Sequence, residues 1–241
     1  MRLDRALVAA GLAPSRSRAA QLIRAGVVRI NGAAAGKPGQ EVAADADLTL
    51  TENPIPWVSR AALKLVHALD RFGLSPEGAR ARDLGASTGG FTEVLLARGA
   101  AHVTALDVGC DQIAPKLRGD PRVTVLEGTN AKDATPALVG TPDWIVSDIS
   151  FISLEKALPA SLAAARPGGR LVSLVKPQFE VGPGQVGKGG IVKDAHLRSA
   201  ARDRIAAFVE ASGWSVTDLA TSPITGSDGN TEYLLAALKR P

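Results

Sequence analysis

The chain has one cysteine, Cys110, in 241 residues, so no internal disulfide can form and no multi-cysteine metal site can be built. Its three histidines, His67, His102 and His196, are scattered without ligand spacing, and no bound metal is expected. Uninterrupted apolar runs are short, and none approaches the ~18 residues of a spanning helix. Behind Arg2, Asp4 and Arg5 no apolar segment follows, so neither a leader nor a membrane anchor is expected and the expected location is cytoplasmic. Apolar residues at 45% and charged residues at 22% exclude wholesale disorder. Acidic residues are scarce at one end. Residues 1–30 hold Arg2, Arg5, Arg16, Arg18, Arg24 and Arg29 against Asp4 alone, although the whole chain carries only +4. A local basic patch of this kind suits a phosphate backbone.

What is present begins with two short helices. Leu3, Leu7 and Val8, then Ala19, Leu22 and Ile23, fall at helical spacing, with Gly11 ending the first helix and Ser15 capping the second. Arg16, Arg18 and Arg24 are expected on the solvated side of that second helix. Val28 and Ile30 then alternate with Arg29 before Asn31-Gly32, a strong hairpin signal. A small α+β unit closes by about Thr51. The order of these pieces in SRSRAAQLIRAGVVRING resembles the ribosomal-protein-S-four-like RNA-binding domain. That resemblance implies that a face bearing Arg5, Arg16, Arg18, Arg24 and Arg29 grips structured RNA through its phosphates.

Residues 53–58 read as a proline-stiffened linker between a domain at 1–52 and a second at 59–241. From Ser59 onward, helical and strand patterns alternate, as in an α/β fold with a largely parallel sheet. ARDLGASTGGF runs strand, glycine turn, helix. It departs from the spacing that binds a pyrophosphate and instead allows the close backbone approach that a phosphate-free cofactor, S-adenosylmethionine, requires. Asp107, 22 residues beyond Gly85 at the end of the next strand, is placed to accept both ribose hydroxyls. Candidate donor contacts are therefore Gly85, Ser87, Thr88, Gly89, Gly90, Phe91 and Asp107, with Asn130 or Asp133 for the adenine edge.

The acceptor is chosen at the ends of the later strands. Ser147-Asp148-Ile149-Ser150-Phe151 lacks the Asn-Pro-Pro-aromatic sequence suited to amino nitrogens, and Cys110 has no features of a base-carbon nucleophile. A hydroxyl acceptor remains, and it needs a base or a concentrated positive field. A desolvated lysine beside another cation can supply either. Lys64, Asp148, Lys176 and Glu232 form the candidate set.

SRAALKL, DLGASTGGF, SDISFISL, LVKPQFE and GNTEYLL, in this order behind the small domain, resemble the TlyA family, whose catalytic domain is similar to FtsJ-type ribosomal RNA 2′-O-methyltransferases. The resemblance implies a Rossmann-like S-adenosylmethionine-dependent methyltransferase domain. It also implies a Lys64-Asp148-Lys176-Glu232 tetrad, and transfer to the ribose 2′-oxygen of cytidine in ribosomal RNA within ribosomal subunits. Lys176 is then the general base or its electrostatic equivalent, Asp148 orients it, and Lys64 with Glu232 positions the hydroxyl. Phe151 is expected as an aromatic wall of the cofactor pocket, alongside Asp148.

The loop GPGQVGKGGIVK, with Lys188 and Lys193, is expected on the RNA side. The compact ends match family members acting on the large-subunit cytidine. Ile55 stands where the family often has arginine, which puts any coupling of the linker to the cofactor in doubt. Two competing readings are an RNA-binding assembly protein that keeps the pocket as scaffold, and a cytolysin, after the haemolysin name attached to the family. The tetrad candidates weigh against the first. The lack of a long amphipathic stretch weighs against the second.

Overall fold

The computed structural model describes residues 1–13, 15–51 and 56–241, without the side chains of Pro183 and Lys188. Residues 53–55, half of the expected linker and including Ile55, therefore lie outside the described residues. The chain forms two units, Met1–Ser59 and Arg60–Pro241.

In the first unit, α1 (Leu3–Ala9) and α2 (Arg16–Arg24) cover a small antiparallel sheet of β1 (Val28–Ile30), β2 (Ala33–Ala34) and β3 (Leu48–Leu50), ordered β2-β1-β3. Ser15 Oγ caps α2 by accepting from Arg18 N at 3.2 Å. Asn31 (φ 48°) and Gly32 (φ 81°) close the hairpin by which Ile30 faces Ala33. Left-handed conformation at both central residues makes this the twist-matched turn that Asn-Gly favours. Leu3, Leu7, Leu22, Ile23 and Val28 form the core.

Two arginines depart from expectation. Arg18 is buried, not solvated, because it shares a helix face with Leu22, four residues on. Arg16 stays exposed, but its guanidinium is tied to Asp4 at 2.9 Å. Arg2 holds the same carboxylate at 3.1 Å. Bonding to Arg2, and then to Arg16, keeps the Asp4 carboxyl well below the usual carboxylate range. The scarce acid thus neutralises part of the patch, and Arg5 and Arg24 are the exposed arginines outside that cluster.

The second unit carries a seven-stranded sheet: β4 (Arg80–Leu84), β5 (His102–Leu106), β6 (Val123–Leu126), β7 (Trp144–Ser147), β8 (Arg170–Val175), β9 (Trp214–Thr221) and β10 (Tyr233–Lys239). Their order is β6-β5-β4-β7-β8-β10-β9. β10 runs antiparallel to both neighbours, and the rest are parallel to one another. Helices α3 (Ala62–Phe72), α4 (Gly90–Ala97), α5 (Pro115–Arg118), α6 (Pro136–Val139), α7 (Leu154–Ala157), α8 (Pro159–Ala164), α9 (Pro177–Glu180) and α10 (Ala195–Ala211) complete it. β7 and β8 are buried almost throughout, as near-continuous apolar strands of a parallel sheet must be. β9 has no counterpart in the sequence reading. It is an edge strand whose residues alternate between half-buried and exposed, with buried Trp214 as its only deep anchor.

Arg82 of β4 is 1% exposed and, among the described residues, makes no ion pair. Its guanidinium donates to Ala134 O (3.1 Å), Gly140 O (2.7 Å) and Ser161 Oγ (3.0 Å), gathering carbonyls from the residues flanking α6 on either side. Burial lowers its pKa to about 10.

The strand order reverses between β4, whose chain continues outward to β5, and β7 on its other side. Ligands of open α/β sheets bind beyond the carboxyl ends at such a reversal.

Candidate active site

A cleft of about 620 Å³ opens at that reversal, within the range of small-molecule sites. Gly85, Asp107 and Asp148, each just past the end of β4, β5 or β7, line it. Gly85 must be glycine. Its φ is +79°, and a Cβ there would stand 3.1 Å from Asp148 O and Ile149 Cα. The Asp107 carboxylate accepts from Ser87 N and Gly109 N, both at 2.8 Å, which fixes its direction and leaves lone pairs for a diol. Leu106, Val108, Ile149 and Ile152 supply apolar walls. A rigid carboxylate for the ribose, apolar walls for a purine and backbone close to the ligand suit S-adenosylmethionine. Asp107, Gly85 and Ser87 would hold it.

Among the sequence-derived candidates, Gly85, Ser87, Asp107, Asn130, Asp148 and Phe151 line the cleft, and Thr88, Gly89, Gly90 and Phe91 do not. The second half of the turn serves packing instead. At Gly89 (φ +95°) a Cβ would come within 2.3 Å of Leu117, and Gly90 and Phe91 are buried in the first turn of α4. Thr88 is exposed, with its carbonyl bonded to Ala114 N. Between Asn130 and Asp133, only Asn130 lines the cleft, and its Oδ1 also caps the following turn through Lys132 N. Gln112 was missed. Its amide lies over Gly109, where a Cβ would be 1.8 Å away, and it accepts from Ser87 Oγ at 3.1 Å. A loop glutamine folded back in this way leaves no periodic signal.

Beneath the cleft, Asp83 is fully buried and accepts from Thr92 Oγ1 at 2.7 Å. Burial, with the nearby Asp148 and Asp107 charges adding to it, pushes its carboxyl up to about 7.

The tetrad candidates occupy the carboxyl edge of the sheet as two ion pairs. Lys176 Nζ lies 2.7 Å from Asp148 Oδ1, and Lys64 Nζ donates to Glu232 Oε2 at 2.5 Å. Register brings them there. Tyr233 pairs with Val175, so the next residues outward on the two strands are Glu232 and Lys176. The reversed direction of β10 puts its first residues, not its last, at this edge, and α3, lying against β10, delivers Lys64. Lys64, Lys176 and Glu232 are all buried. Lys176 also donates to Asp148 O (3.1 Å) and Ser150 Oγ (2.8 Å), so three oxygens surround its ammonium group, two of them as hydrogen-bond acceptors and Asp148 Oδ1 as its ion-pair partner. Ser150 had no assigned role in the sequence, although it stands in SDIS two residues past Asp148.

Phe151 lines the cleft as a lip more than a wall. It is 90% exposed, at φ +68°, with its ring 5.2 Å from that of Phe179. The glycine-rich loop forms 3-10 turns at Pro183–Gln185 and Lys188–Gly190, and buried Asn230 pins it, donating to Gly190 O and accepting from Val192 N. Lys193 is exposed, and the side chain of Lys188 lies outside the described residues. Among the described residues no group of three or more His, Cys, Asp or Glu could hold a metal ion. None of their helices is long and apolar enough to cross a membrane.

Replacing Asp107 with alanine is expected to weaken donor binding at least about tenfold, since a charge-assisted pair of hydrogen bonds is lost. Calorimetric titration with S-adenosylmethionine checks this, and an unchanged affinity would remove Asp107 from the site.

Residues 57–239 match the FtsJ-like methyltransferase family and residues 1–48 the S4 domain. The 16S/23S rRNA (cytidine-2′-O)-methyltransferase TlyA of Mycobacterium tuberculosis is 52% identical over 97% of this chain and 88% of its own. Hemolysin A of Brachyspira hyodysenteriae is 41% identical over 97% and 98%. A solved Streptococcus thermophilus structure bearing a provisional hemolysin name is 40% identical, with a TM-score of 0.80 over 100% of this chain and 88% of its own. An FtsJ-like catalytic domain behind an S4 domain, matched at this level along nearly the whole length, places the chain in the TlyA family of S-adenosylmethionine-dependent rRNA cytidine-2′-O-methyltransferases.

Proposed function

We propose that Lys64, Asp148, Lys176 and Glu232 carry methyl transfer from S-adenosylmethionine to a cytidine ribose 2′-oxygen of ribosomal RNA held in a ribosomal subunit, in the cytoplasm and without a metal. The observation that carries this reading is the pair of buried ion pairs, Lys176–Asp148 and Lys64–Glu232, at the carboxyl edge of the sheet, where Asp148 also lines the donor cleft. Bound there, S-adenosylmethionine supplies an electrophilic methyl on a sulfonium. The chain's own residues must orient the hydroxyl and manage its proton. Three oxygens surround the Lys176 side-chain nitrogen, and its positive charge acts on the incoming hydroxyl through its field. To take the proton it must first release one, and the Asp148 carboxylate is the acceptor in contact. Glu232, held by Lys64, has a second oxygen free to accept from the hydroxyl and aim it. Burial keeps water from competing for the methyl group.

In the first unit, Arg5 and Arg24 are the exposed cations best suited to phosphates, and Lys193 serves the same end beside the catalytic site. Arg16 and Arg29 already share their donors within the fold, Arg16 with Asp4 and Arg29 with Gly26 O and Val28 O. The 52%-identical relative is named for both ribosomal subunits, so each subunit needs its own assay.

The test is methylation of separated and assembled subunits with labelled donor, followed by mapping of the modified nucleotide. Label in a cytidine 2′-O-methyl group is expected, and no label on either subunit at any ionic strength would overturn the reading. Removing Arg5 and Arg24 together should raise the RNA concentration needed. It should also reduce the salt slope by about one per lost phosphate contact, with donor affinity unchanged.

A further inference from the structure

Glu180, the last residue of α9, stands four positions beyond Lys176, and its side chain is 1% exposed. No role in transfer follows from its place in the sequence, yet three groups from two other elements converge on it. Ser153 Oγ donates to Oε2 at 2.6 Å and Leu154 N to Oε1 at 2.9 Å, both from the start of α7. Arg204 of α10 reaches Oε2 at 3.4 Å and the Glu180 carbonyl at 2.6 Å.

The segment between β7 and α7 carries Asp148 and Ser150, the partners of Lys176, and Phe151 in a left-handed conformation that a bulky residue holds only under constraint. At one end Asp148 N is bonded to Leu84 O at 3.0 Å. At the other, the segment ends on the Glu180 carboxylate. The loops after β7 and β8, which bring Asp148 and Lys176 together, are therefore cross-linked by one buried carboxylate.

We infer that Glu180 is a positioning residue for methyl transfer, fixing the 148–153 segment so that Asp148 and Ser150 stay on Lys176. The inference rests on Lys176 and Asp148 forming the reacting centre. Loss of the anchor lets the segment relax and misplaces Lys176, and misplacement of about 1 Å can cost about 100-fold in rate.

The test uses full-length Glu180→Gln, Ser153→Ala, the double variant and Lys176→Ala, at saturating donor and subunit. Expected for the first two is a kcat about 10- to 100-fold down. Donor affinity by calorimetry should stay within about twofold, and the double variant should be no slower than the worse single, because both break one link. A purely structural role would lower the melting temperature and the active fraction while leaving kcat per donor-binding site unchanged. A folded Glu180→Gln protein with kcat within twofold of the parent overturns the inference. Should that variant not fold, Ser153→Ala decides by the same criterion. Activity retained by Lys176→Ala would instead overturn the tetrad reading beneath it, whereas a dead Lys176→Ala beside fully active Glu180→Gln and Ser153→Ala sinks this inference alone.

Discussion

Alanine at position 176 is expected to abolish methyl transfer, by at least about 10³-fold, while donor affinity stays within about twofold. The lysine is buried, with two hydrogen bonds and an ion pair to Asp148 at the carboxyl edge of the sheet, whereas the donor cleft is built from residues 85–152. Its loss removes the positive field over the attacking oxygen and, among the described residues, the only cation paired with Asp148. Arginine should not rescue it, because a planar fork cannot enter a cradle of three oxygens built around a point ammonium. Single-turnover transfer from labelled donor, with calorimetry of donor binding beside it, checks both halves. More than about one-twentieth of parental activity in Lys176→Ala would end the assigned role.

The second large effect concerns stability. Arg82→Met should destabilise the catalytic unit by about 3–5 kcal/mol, since Ala134 O, Gly140 O and Ser161 Oγ lose a buried donor at once and each such loss costs about 1–3 kcal/mol, not fully additively. At about 2–4 °C per kcal/mol for a unit of this size, the melting temperature should fall by roughly 6–20 °C. Methionine keeps most of the volume, so the deficit reports the lost hydrogen bonds and not a cavity. Denaturant titration followed by circular dichroism measures it, and a change under about 1 kcal/mol would show that the loop ends at 134 and 140 find other donors.

Arg82 also marks where the sequence stops being legible. The strands around it could be read because a parallel sheet buried on both faces demands apolar runs, and Trp144–Ser147 and Leu171–Val175 are such runs. An arginine within a buried strand looks like an edge charge until the carbonyls that surround it are known. β9 escaped for the opposite reason: Trp214–Thr221, with Asp218 and two threonines, follows an edge strand's looser rules. Arg18 was legible and was misread, because helical spacing already placed it with Leu22 and the charge was given more weight than the period. The tetrad could be read as residue types but not as pairs. Nothing in the one-dimensional order couples Lys64 to Glu232, 168 positions away, until the register of β10 on β8 is fixed.

That reversed last strand has a consequence for genetics. Every residue lining the donor cleft falls between 85 and 152, whereas three of the four proposed transfer residues, at 64, 176 and 232, lie outside that interval. A map of inactivating alleles along this chain would therefore divide by phenotype. Those at cleft-lining positions inside the interval starve the enzyme of its methyl donor, and those at 64, 176 or 232 leave a protein that binds donor and does nothing with it. Asp148 and Ser150, which line the cleft and also touch Lys176, are the positions where the two classes meet.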